Sequence, residues 1–106
     1  MQPTIQQVFG PGATQDADSI TILKADLPGL TAAANNNGEQ LFAGVVNRAR
    51  IYLTEANQAS NPDQSITFGE TFSSFVSRNS QNYRQNQVPV NFQKLDTDAD
   101  IEPDEY

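Results

Sequence analysis

A chain of 106 residues makes one domain with a modest core, and having no cysteine it gains no disulfide reinforcement. It also has no histidine, which removes Ser-His-Asp and Cys-His catalysis, histidine metal sites and histidine pH switching together. A net charge of −7, with six scattered basic residues (Lys24, Arg48, Arg50, Arg78, Arg84 and Lys94), argues against a nucleic-acid surface, and no apolar run approaches a membrane span.

The sequence starts Met1-Gln-Pro-Thr-Ile-Gln-Gln and lacks the basic and apolar regions of a signal peptide. Residues 1–18 are rich in Gln, Pro and Gly, and are expected to form an extended N-terminal arm, mobile in a free monomer. Ile5, Val8 and Phe9 are its anchors if it orders against a neighbouring subunit. Residues 19–95 are the expected globular domain. Its first strand is Ser19-Ile-Thr-Ile-Leu-Lys24, β-branched and short, ending at the strong turn signal Pro28-Gly29. A loop of small and turn-prone residues follows, over 31–38.

Residues 41–54 carry two conflicting signals. Helical spacing puts Leu41, Phe42, Val45, Val46, Ala49, Tyr52 and Leu53 on one face, with only Ile51 outside it. Asn37 and Gln40 would then form a capping box. Propensity favours a strand, because Gly44-Val45-Val46-Asn47 is a poor helix centre and Ile51-Tyr-Leu-Thr54 is strand-forming. We read the segment as a strand, whose outward residues Arg48, Arg50 and Tyr52 would meet another sheet or subunit. The alternative is an α+β fold, with residues 38–56 as a helix packed on the hairpin that follows.

Glu55 to Gln64 reads as a loop with a type I turn at Asn61-Pro62-Asp63. Beyond it, Ile66, Phe68, Phe72 and Val76 recur in steps of two and four, and Val88, Val90 and Phe92 do the same, the mark of half-buried strands. Asn79-Ser80-Gln81-Asn82 is the expected turn of an antiparallel hairpin. Glu70 falls on the apolar side, which suggests a bulge near Gly69 or a sheet margin, and Pro89 belongs at an edge or bulge. The expected class is therefore mainly β, a single small antiparallel sheet or sandwich domain.

Residues 96–106 form an acidic tail with six acids and no base, expected to be solvated or docked on a neighbour, with Tyr106 as its anchor. Asp96, Asp98 and Asp100 match the first ligand positions of a calcium loop. Ile101 then stands where that loop needs glycine, and the closing glutamate position falls past Tyr106. No catalytic or cofactor-binding set is visible, and the chain reads as a non-enzyme.

Two stretches carry a resemblance. They are Ser19-Ile-Thr-Ile-Leu-Lys-Ala-Asp-Leu-Pro-Gly-Leu30, and Asn61-Pro-Asp-Gln-Ser-Ile-Thr67 through Tyr83-Arg-Gln85 and Val90-Asn-Phe-Gln-Lys-Leu-Asp96 to Ile101-Glu-Pro-Asp-Glu-Tyr106. The pattern resembles small uncharacterised proteins of cyanobacteria and their tailed phages. That resemblance implies a virion structural component with no active site, assembled in the host cytoplasm. The favoured expectation is a capsid cement (decoration) protein, homo-oligomeric and partnered by capsid or tail subunits. A tail or neck component stands second, a soluble acidic binding or regulatory module third.

Overall fold

The computed structural model describes residues 1–95 and 100–106. The chain opens with a short helix, α1 (Ile5–Phe9), where the sequence predicts an extended arm. A local reciprocal cap explains the difference. Gln7 N donates to Thr4 Oγ1 at 3.2 Å, and Thr4 N donates to Gln7 Oε1 at 2.9 Å, which satisfies two donors that the helix end would leave bare. The segment is then held on the body. Gln6 Nε2 donates to Ala13 O at 3.0 Å, Gly12 N donates to Asp26 Oδ2 at 2.9 Å, and Ala13 is buried.

β1 (Thr14–Gln15) and β2 (Ile20–Thr21) form a minimal antiparallel pair. Asp16 shapes the turn between them, its Oδ1 accepting from the backbone N–H groups of Asp18 and Ser19 at 2.8 and 2.9 Å. These bonds, and one from the Ser19 hydroxyl, favour the ionised carboxylate and lower its pKa below 3.8. The strand expected over 19–24 stops after two residues, because a 3₁₀ turn takes up Lys24–Asp26. The turn at Pro28-Gly29 forms as predicted, with Gly29 at φ 82° and Leu30 N donating to Leu27 O at 3.3 Å.

The strand expected over 41–54 is a helix, α2 (Gly38–Tyr52), ending at Leu53. The Asn37–Gln40 capping box is present, and Ile51 lies outside the packed face at 60% exposure, but so does Phe42, at 70%, which the helical spacing puts inside it. Gly44, a poor helix former, stands where Leu27 presses on the helix. A Cβ there would lie 3.0 Å from the Leu27 Cβ, so the glycine is set by packing and not by propensity. The helix packs on α1, not on the hairpin as the α+β alternative has it. It meets the hairpin at its C-terminal end, where Leu53 O accepts from Phe68 N at 2.8 Å and Arg50 Nη2 donates to Thr71 Oγ1 at 3.0 Å.

A further helix, α3 (Glu55–Ser60), occupies what reads as a loop, capped by Thr54 Oγ1 accepting from Asn57 N at 3.0 Å. The Asn61-Pro62-Asp63 turn follows, closed by Gln64 N donating to Asn61 O at 3.0 Å. Then come β3 (Ile66–Phe68), β4 (Phe72–Arg78), β5 (Gln81–Gln87) and β6 (Val90–Phe92). They nest as one long hairpin, β3 pairing β6 and β4 pairing β5, both antiparallel. Between the two ladders, three residues (Gly69, Glu70, Thr71) face two (Val88, Pro89). This one-residue excess is the bulge that Glu70 and Pro89 foreshadow, and Gly69 N donating to Pro89 O at 3.0 Å clamps it.

The fold is thus mixed, three two-stranded antiparallel sheets with helices, rather than mainly β. Its buried apolar core is small: Ala13, Leu27, Ala49 and Leu53. Beside them Gln64 and Thr67 are fully buried. Gln64 Nε2 donates to Thr54 O at 3.0 Å and Ile66 O at 2.9 Å, while its Oε1 accepts from Asn57 Nδ2 at 3.1 Å. One buried amide therefore ties α3 to β3, with its donors and acceptor satisfied.

Candidate functional site

The β4–β5 ribbon projects from this body with almost nothing covering it. Of its strand residues only Val76 and Tyr83 are half-buried; the others, including Phe72 at 61% and Phe75 at 69%, are exposed. Alternation puts Phe72, Ser74, Val76 and Arg78 on one face with Tyr83, and Ser73, Phe75 and Ser77 on the other with Arg84. Each arginine lies over an aromatic ring, Arg78 at 4.2 Å from the Tyr83 centroid and Arg84 at 4.7 Å from the Phe75 centroid. Arg84 Nη1 also donates to Ser73 Oγ at 2.8 Å. These cross-strand contacts stiffen a ribbon that has no core of its own.

The turn at its tip has two residues, not the four expected. Asn79 and Ser80 have φ of 50° and 60°, as a type I′ turn requires, and Arg78 pairs directly with Gln81. Such a turn makes Arg78 and Gln81 a hydrogen-bonded pair, and the pattern alternates along the ladder. Ser73, Phe75 and Ser77 therefore aim their backbone N–H and C=O groups away from β5, at an open edge. Asn82, Arg84 and Asn86 do the same on the opposite edge.

Charge is segregated along the chain. From Thr71 to Leu95 there are three bases (Arg78, Arg84, Lys94) and no acid. The ribbon itself carries two of these bases, Arg78 and Arg84, on a protein of net charge −7. Its size matters as well. The chain exposes 7826 Å², where a compact monomer of its mass exposes about 5,800 Å². Its radius of gyration is 16.0 Å, against about 13 Å for a compact domain of this length.

The residues singled out in the sequence do not gather in one place. Ile5, Val8 and Phe9 are half-buried beside the chain's own α2. Val8 and Phe9 line a cleft of about 240 Å³ with Pro3, Leu53, Ile66 and Tyr106. Tyr106 meets Phe92 edge to face, with centroids 5.5 Å apart. Lys94 holds the same terminal segment, bonding Asp100 O and pairing with Glu105 Oε2 at 2.6 Å. Arg48 is half-buried on α2, with its Nε enclosed and unpartnered among the described residues. Arg50 reaches Thr71, and Tyr52 is half-buried near the end of α2.

Asp96 and Asp98 lie outside the described residues, so the calcium-loop match involving Asp100 is not displayed. Among the described residues no three Asp, Glu, Cys or His side chains come together, and no helix is long and apolar enough to cross a membrane. A second cleft of about 320 Å³ runs beside Pro28–Thr31. Its amides are engaged by the chain itself, Asn47 Nδ2 donating to Pro28 O at 3.3 Å and Asn36 Oδ1 accepting from Ala33 N at 2.8 Å. Comparison with known proteins finds no matching family model, no similar curated protein and no matching solved structure.

Period-two spacing located the ribbon strands but assigned Phe72 to a buried face and left Phe75 out. The missing signal was cover. Alternation marks a face as apolar and says nothing of which element covers it.

Proposed function

We propose that this protein is a non-catalytic structural subunit, working within an assembly that covers its exposed ribbon. The observation that carries this reading is the surplus of about 2,000 Å² of surface over a compact monomer, more than the roughly 800 Å² that each partner gives to a standard specific interface. Unpaired strand edges and large exposed aromatics on one projection support it, because a protein that works alone protects such an edge. Within this reading, the resemblance to proteins of cyanobacteria and their tailed phages favours a virion component. A capsid cement protein is the first choice and a tail or neck component the second.

Light scattering after size-exclusion chromatography, over a range of concentrations, tests the reading. The expected mass is a multiple of 11.6 kDa. A monomer at every concentration rejects self-association, and the cement role then stands only if the chain co-sediments with preformed capsids.

A further inference from the structure

We infer that two copies of this chain join by antiparallel pairing of β4 with β4 of the second copy, in a register centred on Phe75, giving a four-stranded sheet. This rests on the assembly reading above and names the partner and the contact. Both edges of the ribbon can pair geometrically, since residues of alternate parity present free backbone groups on each. The side chains discriminate between them.

A two-fold axis through the middle of β5 sets Arg84 opposite Arg84 of the second copy, and like charges directly opposed destabilise a strand pair. The same operation on β4 sets Phe75 opposite Phe75, Ser73 opposite Ser77, and Phe72 opposite Arg78. An aromatic pair at the centre, two serine pairs flanking it and two arginine–phenylalanine pairs at the ends are all favourable neighbours. Phe75 is 69% exposed and Phe72 61%, so both gain cover from the partner. In this register Ser73, Phe75 and Ser77 face one another across the axis, and these are the residues whose N–H and C=O groups point outward. The backbone ladder permits this alignment along with others of the same parity, and the side-chain pairing selects it.

Charge adds to it. Glu70 is exposed and forms no ion pair among the described residues, and it lies two positions before Phe72. Pairing brings Arg78 of the second copy opposite Phe72, and so within diagonal reach of Glu70, twice per dimer. β4 has none of the usual defences of a free edge: no proline, no lysine and no charge before its last residue, Arg78. β5 carries Arg84 at its centre, and thereby blocks its own edge.

The chain has no cysteine, so an introduced thiol reports its own neighbours alone. Three variants of the full chain, Phe75→Cys, Arg84→Cys and the double Ser73→Cys/Ser77→Cys, are oxidised with diamide and run on non-reducing gels, beside light scattering of the natural protein. Opposed residues in the proposed register are about 5.5 Å apart at Cα, within disulfide reach, whereas the two Arg84 positions are roughly 14 Å apart. The expected result is a covalent dimer from Phe75→Cys and from the double variant, which keeps the aromatic pair, and none from Arg84→Cys. A natural protein of multiple mass with no cross-link from either β4 variant, or with a dimer from Arg84→Cys, overturns the β4 pairing and leaves the assembly reading standing. A strict monomer with no cross-link overturns the β4 pairing and self-association together, and the assembly reading then falls too unless the chain co-sediments with preformed capsids.

Discussion

The body and the ribbon of this protein solve opposite problems. In the body, very little apolar surface is available, and polar groups do much of the tying: Gln64 joins α3 to β3, Thr4 and Gln7 cap α1, and Asn37 and Gln40 cap α2. In the ribbon, two phenylalanines and two strand edges are left in solvent, held by a tight turn and two arginine–aromatic contacts. The difference teaches that exposure here is not a shortage of apolar residues. Phe72 and Phe75 are larger than anything in the buried set, yet they sit on the element that nothing covers.

Substitutions in the body should therefore cost stability, and those in the ribbon should cost association. The largest loss is expected for Gly10→Ala. Gly10 has φ 116°, and a Cβ there would meet the Asp26 Cβ at 2.5 Å. Backbone strain and overpacking together make about 3–5 kcal/mol, read as a fall in the urea midpoint. Gln64→Ala comes next, at about 2–4 kcal/mol, because it leaves buried carbonyls and an amide without partners and opens a cavity. A midpoint shift equivalent to less than about 1 kcal/mol would show that water replaces the side chain, weakening the contrast with the ribbon.

Tyr83→Ala should cost only about 0.5–1 kcal/mol, the worth of an exposed cation–π pair, and should raise amide exchange in β4 and β5 while leaving α2 protected. Equal loss of protection in α2 would mean that the two regions unfold as one. The smallest effect concerns Asp16. Its carboxyl has a lowered folded-state pKa, so its contribution is present above the unfolded value of 3.8 and is lost as pH falls through the folded value. Asp16→Asn should lower the neutral-pH midpoint slightly, and the difference from the natural protein should vanish at the acid end of the curve.

Local signals were read from the sequence where they were complete within a few residues. The Pro28-Gly29 and Asn61-Pro62-Asp63 turns, the Asn37–Gln40 cap and the bulge around Gly69 all belong to that kind. Over residues 41–54 propensity points to a strand, because Gly44-Val45-Val46 counts against a helix. The contact that explains Gly44 comes from Leu27, 17 positions earlier, and local propensity cannot register it. α1 is invisible to periodicity because Thr4 and Gln7 cap a helix of only five residues, too short for a periodic pattern. The ribbon's exposure has no local signal, because a polar–apolar alternation is the same whether or not its apolar face is covered. Ser80 at positive φ carries no sequence signal of the kind that Asn-Gly would give, and so the sequence alone suggests a wider turn.

The nesting of the two ladders also bears on the order in which the chain gains structure. β4 and β5 are joined by a two-residue turn and can close within microseconds, before any distant contact exists. Once they have done so, Phe68 and Val90 are no longer the ends of a loop of some twenty residues. They are separated only by the bulge, and the entropy of bringing β3 to β6 falls by about 1 kcal/mol. The element that the finished molecule leaves bare is then the splint on which its central pairing is set.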